Sequence, residues 1–230
     1  MRGLVIHDDP AVLAFNKPSG LPVQTRNPDD RTLDALLAVF AKSNGKRPRL
    51  VHRLDAQTSG VIVAGKTQPA AAALSAAFAG RDVSKIYLAI VSGPAFEAEA
   101  GQINQPLARF RARPELELVR VARPGDQKPQ NALTNWRVLR SQDNIHFVQL
   151  EPKTGRMHQL RAHLSCIGRP ILGDPYYGGA ATVKGTSVPR LMLHAAKLEL
   201  PHPAGGHLAL DAPLPEDFKT TLSAAGLDLA

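Results

Sequence analysis

Residues 51–60 read VHRLDAQTSG and lead directly into the apolar run VIVA at residues 61–64. Thr, Ser and Gly are common turn residues, and a β-branched run has the composition of a buried strand. The stretch therefore predicts a polar loop that leads into a core strand. Its ionisable side chains, His52, Arg53 and Asp55, form either an ion-pair network or a site with shifted pKa values, and spacing alone does not separate the two.

The pattern His-Arg-Leu-Asp-x-x-Thr-Ser-Gly at residues 52–60 resembles the catalytic signature of the RluA-type pseudouridine synthases. In that family the aspartate is the essential catalytic carboxylate. The arginine two positions before it fills the space left by a base that is flipped out of the RNA. The resemblance implies that Asp55 is catalytic, that Arg53 binds RNA at the flipped nucleotide, and that His52 belongs to the same RNA-binding site.

Two more motifs resemble the family in the same order along the chain. Lys-Pro-x-Gly at residues 17–20 is similar to its first motif, which implies a loop bordering the active site and an RNA contact by Lys17. Lys-x-Tyr-x-Ala at residues 85–89 resembles its third motif, whose tyrosine stacks on the target base and is placed to handle a proton. A strand tyrosine is more often a packing residue, but the resemblance assigns Tyr87 to the catalytic site.

A last motif, Thr-Gly-Arg-x-His-Gln-Leu-Arg at residues 154–161, continues to Gly-Asp at 173–174 and Tyr-Gly at 177–178. In the family the closing arginine of the run pairs with the catalytic aspartate. The resemblance, which covers residues 4–218, therefore implies that Arg161 is catalytic and that Arg156 contacts RNA.

The apolar spacing around this motif predicts a helix from Met157 to Ile167 that Gly168 ends. His158 and His163 are five residues apart with no carboxylate nearby. We therefore expect them to be core or surface histidines, and we do not expect a metal site. No phosphate-cradling glycine loop is present in the sequence, so no cofactor is expected either.

A net charge of +8 and a pI near 9.9 favour a polyanionic partner. Residues 97–131 are rich in Arg and Pro and predict a basic loop or hairpin insertion. This insertion either grips RNA or is a solvated surface loop. Its arginines are Arg109, Arg111, Arg113, Arg120 and Arg123.

The chain has 230 residues, of which 43% are hydrophobic and 21% charged, as in ordinary soluble globular proteins. Length allows one large or two small domains, and we predict a single catalytic domain over residues 1–230. The single cysteine, Cys166, excludes an internal disulfide and a multi-cysteine zinc site. No apolar run has the length of a membrane span, and residues 1–9 turn polar too soon for a signal peptide. The expectation is a cytoplasmic monomer.

Alternating and β-branched runs predict strands, and helical spacing predicts helices over residues 32–41 and from Thr67 to Phe78, the second ended by Gly80. The strands are predicted at residues 4–7, 11–15, 61–64, 84–91, 132–139 and 145–150. The resemblance implies an α+β fold: one catalytic domain on a mostly antiparallel mixed sheet, with flanking helices and a central cleft. The S4 RNA-binding domain of many relatives is not expected.

Pseudouridine formation breaks the bond from uracil N1 to ribose C1′ and joins C5 to C1′, without redox change. One carboxylate suffices for this reaction, so Asp55 could act alone as nucleophile or base. The expected substrates are hairpins in large-subunit ribosomal RNA or transfer RNA. The alternative is a catalytically silent RNA-binding module of the same fold. A glycoside-type hydrolase ordinarily needs two carboxylates, and only Asp55 lies in a motif.

Overall fold

The computed structural model describes residues 1–25 and 31–228. The chain divides into two compact units, one formed by Met1–Lys85 with His194–Leu214, the other by Ile86–Leu193 with Pro215–Ala230. The strands are β1 Val5–Asp8, β2 Val12–Lys17, β3 Arg49–Leu50, β4 Ser59–Gly65, β5 Ser84–Ser92, β6 Ala100–Asn104, β7 Leu107–Arg113, β8 Leu116–Val121, β9 Leu133–Gln142, β10 Ile145–Pro152, β11 Thr182–Val183, β12 Thr186–Ser187, β13 Leu193–Pro201 and β14 His207–Asp211. The helices are α1 Leu33–Leu36, α2 Gln68–Gly80, α3 Gln159–Cys166 and α4 Glu216–Ala225.

In the first unit the strand order is β1-β2-β4-β13, with β3 also paired to β4 and β14 paired to β13. The pairs are antiparallel except β4 with β13, which is parallel. Every residue of β4 is buried, as its β-branched composition predicts. The strand that follows the signature loop is therefore a central strand of this unit.

Helix α2 covers one face of these strands. Leu74 from the helix packs with Val12, Val61, Val63 and Leu198 in a single apolar cluster.

The start of α2 is confirmed, because the Thr67 side chain accepts a hydrogen bond from the Ala70 N–H at 3.2 Å. The predicted end is one residue early, because Gly80 is still helical and Arg81 takes the left-handed conformation with φ +67°.

In the second unit the strand order is β5-β10-β9-β6, all antiparallel. Strands β7 and β8 form a separate antiparallel hairpin within the Arg-rich segment. The hairpin packs through Leu107 and Val119 onto Ala162 of α3, with Tyr177 at the edge of the same cluster. Of the two forms predicted for this segment, a loop or a hairpin, the structure has the hairpin.

Two predicted helices are shorter in the structure. The helix predicted over residues 32–41 is the single turn α1 followed by a 3₁₀ turn at Leu37–Phe40. Helix α3 begins at Gln159 and not at Met157, because His158 has a left-handed backbone with φ +49°. The α+β class with mostly antiparallel strands is confirmed, while the single domain and the central cleft stay predictions.

Candidate active site

Asp55 lies on the loop between β3 and β4, and the first unit holds this loop from several sides. The backbone turns after it, where the Thr58 N–H donates to the Asp55 carbonyl at 3.0 Å. Leu54 is buried beside it and Thr58 is buried where the loop enters β4, while Asp55 itself is half-buried. The carboxylate therefore sits between two residues anchored in the core.

Lys17 fastens the loop of residues 17–21 to the Asp55 loop. Its side chain is fully buried, and its ammonium donates to the carbonyls of Pro18, Leu21 and Ala56, each at 2.9 Å. The Gly20 N–H donates to the same Ala56 carbonyl at 2.9 Å. All three N–H donors of the ammonium bind backbone oxygens, so the placement of Lys17 favours a structural role, and its RNA contact stays a prediction. The 17–21 loop contacts the loop that carries Asp55. Its predicted position at the border of the active site stays a prediction.

His52 braces the loop from the other side. The Val63 N–H of β4 donates to His52 Nε2 at 3.0 Å, and the imidazole stacks on Phe78 with ring centroids 4.3 Å apart. Burial, together with the nearby charge of Lys85, lowers the pKa of His52 to about 3. The predicted RNA binding by His52 is not supported by this placement, because a neutral ring that accepts a backbone N–H offers no cation to phosphate.

The end of the signature fits closely against β13. Gly60 has φ +116°, and a Cβ at this position would lie 2.1 Å from the Ala195 carbonyl oxygen. A side chain is therefore excluded by both conformation and space. The neighbouring Ser59 hydroxyl meets His194 Nδ1 at 2.9 Å in the buried interior. These contacts explain the Ser-Gly pair at the end of the motif.

Arg53 differs from its neighbours because its side chain is exposed. Across residues 1–25 and 31–228 it forms no hydrogen bond or ion pair. Its guanidinium is thus available to an external partner, as the flipping role requires. Lys17 and His52 thus hold the Asp55 loop in place, while Arg53 on the same loop faces solvent.

Arg161 lies in α3 of the second unit and is buried. It forms a bidentate ion pair with Asp174, with Nε to Oδ2 at 2.7 Å and Nη2 to Oδ1 at 2.8 Å. Asp174 is itself buried and also accepts the backbone N–H groups of Tyr176 and Tyr177 at 2.9 and 3.2 Å. The sequence prediction gave Arg161 a carboxylate partner in Asp55, and that pairing stays a prediction.

Asp174 belongs to the Gly-Asp pair of the last family motif, but the motif alone assigned no role to it. A fork of two parallel N–H···O bonds fixes the plane of a guanidinium as well as its position. Asp174 therefore decides the orientation of Arg161.

Tyr87 lies in β5 opposite Leu150 of β10 and is half-buried. Lys85, two residues earlier on the same strand, lies on the same face, because successive side chains of a strand alternate between its two faces. Burial lowers the pKa of Lys85, and the charge of Arg81 lowers it further. The catalytic role of Tyr87 stays a prediction.

Arg156 is half-buried before α3, and its Nε donates to the Asn131 carbonyl at 3.1 Å. His163 is fully buried: its Nε2 donates to the Gln105 carbonyl and its Nδ1 meets the Thr134 hydroxyl, both at 2.9 Å. Burial lowers the pKa of His163, so this ring is neutral, as expected of a core histidine. RNA binding by Arg156 stays a prediction.

The arginines of the hairpin fall into two groups. Arg109 binds Glu117 at 2.8 Å and Arg120 forms a bidentate pair with Asp126. The hydrogen bonds from Arg120 lower the pKa of Asp126 to about 2. The remaining three, Arg111, Arg113 and Arg123, are exposed, and none forms an ion pair within the described chain.

In the part of the chain that the structure describes, no helix is long and apolar enough to cross a membrane. Nor do the residues described there include a group of three His, Cys, Asp or Glu side chains placed to hold a metal ion.

The family model described as RNA pseudouridylate synthase matches residues 11–166. Ribosomal large subunit pseudouridine synthase D of Zymomonas mobilis is 35% identical, over 94% of this chain and 70% of its own length. An uncharacterised RNA pseudouridine synthase of the same organism is also 35% identical, over 93% of this chain and 94% of its own. The solved structure of human RNA pseudouridylate synthase domain containing 4 superposes with a TM-score of 0.82 at 30% identity, covering 99% of this chain and 96% of its own.

Proposed function

The chain belongs to the RNA pseudouridylate synthase family, and we propose that it isomerises uridines in structured RNA with Asp55 as its catalytic carboxylate. The observation that carries the proposal is the bracing of the Asp55 loop. One hydrogen bond from Lys17 and one from Gly20, both to the Ala56 carbonyl, join it to the neighbouring loop, and His52 ties it to β4. A catalytic group needs such fixed geometry, because small displacements cost large factors in rate.

The reaction exchanges one bond for another at the sugar. The N1–C1′ bond breaks, the C5–C1′ bond forms, and the proton that leaves C5 is balanced by the proton that N1 gains. Asp55 would act either as the nucleophile at C1′ or as the base at the sugar, and both roles require its ionised form. Tyr87 is proposed to stack on the base and to handle the C5 proton.

Arg161 is proposed to favour the ionised form of the catalytic carboxylate, since a nearby guanidinium stabilises the negative charge. Its bidentate bond to Asp174 supports this role by fixing the orientation of the guanidinium. Asp174 would then be a positioning residue and not a catalytic one.

Arg53 is proposed to fill the gap that the target base leaves. A stacked or paired uridine must be flipped out of the RNA at a cost of a few kcal/mol, which a side chain inserted into the stack offsets. The exposed, unpaired guanidinium on the described surface beside Asp55 fits this role.

The proposed substrates are stem–loops of large-subunit ribosomal RNA or transfer RNA, acted on by a monomer in the cytoplasm. The relative from Zymomonas mobilis is named as a ribosomal large subunit pseudouridine synthase, and the basic charge of this chain agrees with an RNA partner. RNA loops are the parts whose bases are most easily splayed out for recognition.

The test compares Asp55→Asn with Asp211→Asn, which alters a carboxylate on the exposed surface of the same unit. We expect Asp55→Asn to bind RNA and to form no pseudouridine in ribosomal or transfer RNA transcripts, while Asp211→Asn keeps wild-type turnover. Pseudouridine would be read by nucleoside mass spectrometry and base-resolution mapping.

Turnover retained in Asp55→Asn would remove Asp55 from the chemistry. A wild-type protein that binds RNA but modifies none of these transcripts, nor RNA in assembled ribosomal subunits, would favour the catalytically silent binding module. Arg53→Ala should lower the fluorescence change of a reporter base beside the target while the unfolding midpoint stays unchanged. Activity lost with normal flipping would reassign Arg53 to chemistry or phosphate binding.

A further inference from the structure

Tyr176 is a large aromatic side chain that the fold leaves on the surface. Its exposed fraction is 50%, although it lies two residues after the buried Asp174. Its backbone N–H donates to Asp174 Oδ1 at 2.9 Å, so the main chain beneath the ring is fixed. Among the residues described, Val39 and Leu139 are the other large apolar side chains with comparable exposure.

The ring of Tyr176 is held near a buried cation. Its centroid lies 5.7 Å from Cζ of Arg161, and the neighbouring Tyr177 ring lies 5.0 Å from the same atom. A guanidinium against an aromatic face restrains the ring without covering its outer side. The hydroxyl of Tyr176 bonds to none of the residues that the structure describes, so no polar tether explains why this ring is presented to solvent.

The turn that carries Tyr176 is tied to the basic hairpin. The Tyr177 hydroxyl accepts the Val119 N–H of β8 at 3.2 Å and meets His158 Nδ1 at 3.1 Å. The same hairpin carries the exposed Arg111 and Arg113. An aromatic surface linked to free guanidinium groups is the combination that binds unpaired nucleic acid, because the ring stacks on a base and the cations hold the phosphates.

We propose that Tyr176 is a stacking site for an unpaired base of the RNA substrate. The ligand is a nucleobase of the substrate other than the target uridine, whose stacking partner is proposed to be Tyr87. This inference rests on the proposed function and adds a binding site to it. The stack recognises any base by its π face, so it contributes affinity and placement of the loop without choosing a sequence.

A purely structural reading predicts something different: Tyr176 would only shield the Arg161–Asp174 ion pair from water. Leucine could provide most of that cover but cannot stack on a base. Tyr176→Leu therefore separates the two roles, and Tyr176→Phe, which keeps the ring, should rescue RNA binding.

The experiment measures the dissociation constant of a synthetic RNA stem closed by an oligouridine loop, at several salt concentrations. For Tyr176→Leu we expect about tenfold weaker binding with an unchanged salt slope, because a stacked base is lost and no charge is removed. Arg111→Gln should instead lower the salt slope by about one. Val39→Ala is the control for loss of an exposed apolar side chain, and it should match the wild type.

Steady-state turnover on a transcript that the wild type modifies gives the second measurement. Tyr176→Leu should raise KM by about tenfold and leave kcat within about twofold, while Tyr176→Phe keeps both. If Tyr176→Leu binds and turns over as the wild type does, or lowers kcat alone, the stacking site is overturned while the proposed function stands. A wild type that modifies no RNA overturns the proposed function, and the binding measurement still decides whether Tyr176 contacts RNA.

Discussion

Replacing Lys17 by methionine tests whether the buried ammonium is a structural clamp or an RNA contact. Methionine nearly conserves the volume of the side chain but removes its donors. The carbonyls of Pro18 and Leu21 then lose the donor that the ammonium supplied, whereas the Ala56 carbonyl keeps the Gly20 N–H. The variant therefore isolates the contribution of the clamp.

An unsatisfied carbonyl costs about 1–3 kcal/mol when it is fully buried and less where water reaches it. Pro18 is exposed and Leu21 is half-buried, so we expect a loss of about 1–3 kcal/mol in the free energy of unfolding, partly offset because the variant no longer buries a charge. Domains have only about 5–15 kcal/mol of stability, so the effect is large. Turnover should also fall, because the loop that carries Asp55 is no longer fastened.

Urea unfolding gives the stability, and RNA binding over a series of salt concentrations gives the number of phosphate contacts. Lys197→Met is the matched control, since that lysine forms a solvent-exposed pair with Asp211, and exposed ion pairs add little to stability. The clamp predicts a lower urea midpoint and an unchanged salt slope for Lys17→Met. A wild-type midpoint with a salt slope reduced by about one would refute the reasoning and return Lys17 to the RNA interface.

Two further predictions concern buried ionisable groups. Asp174→Asn should lower the free energy of unfolding by about 3 kcal/mol, because the buried Arg161 loses the carboxylate that binds it. Asp143→Asn, at an exposed ion pair, is the control, and equal urea midpoints for the two variants would contradict the prediction. His52 has its pKa lowered from 6.5 to about 3 in the folded protein, so the unfolded chain takes up its proton first: the stability from neutral His52 is complete above pH 6.5 and is lost as the pH falls toward 3. Between pH 7 and pH 5 the wild type should lose up to about 2 kcal/mol more than His52→Gln, and equal losses would show that the ring titrates normally.

The central elements of the fold could be predicted from local patterns. The β-branched run after the signature predicted β4, alternation predicted β5, and Thr67 predicted the start of α2. These signals depend on periodicity and capping, which act within a few residues. The start of α3 was missed because the left-handed backbone of His158 has no such local signal: the residue is not a glycine.

The candidate site was predictable where a motif carried it and not where distant contacts decide a residue's role. The signature predicted the Asp55 loop, and the structure added that Arg53 is exposed on it. It did not predict that Lys17 would be buried against Ala56, 39 residues away, or that Asp174 would bind Arg161 across 13 residues.

The sequence by itself determined the family motifs, the basic charge and several of the central strands and helices, because these follow from residue identity and short-range spacing. The tertiary structure alone decided which cations are free to meet RNA. A lysine, a histidine and two arginines look alike as basic residues along the chain. Burial and contacts decide whether each side chain is neutral, paired or exposed to solvent. Lys17 is satisfied by carbonyls, His52 is neutral, and Arg161 is held by a carboxylate, while Arg53 remains exposed to solvent. Desolvation and pairing depend on contacts between distant parts of the chain, so they appear only when the chain is folded.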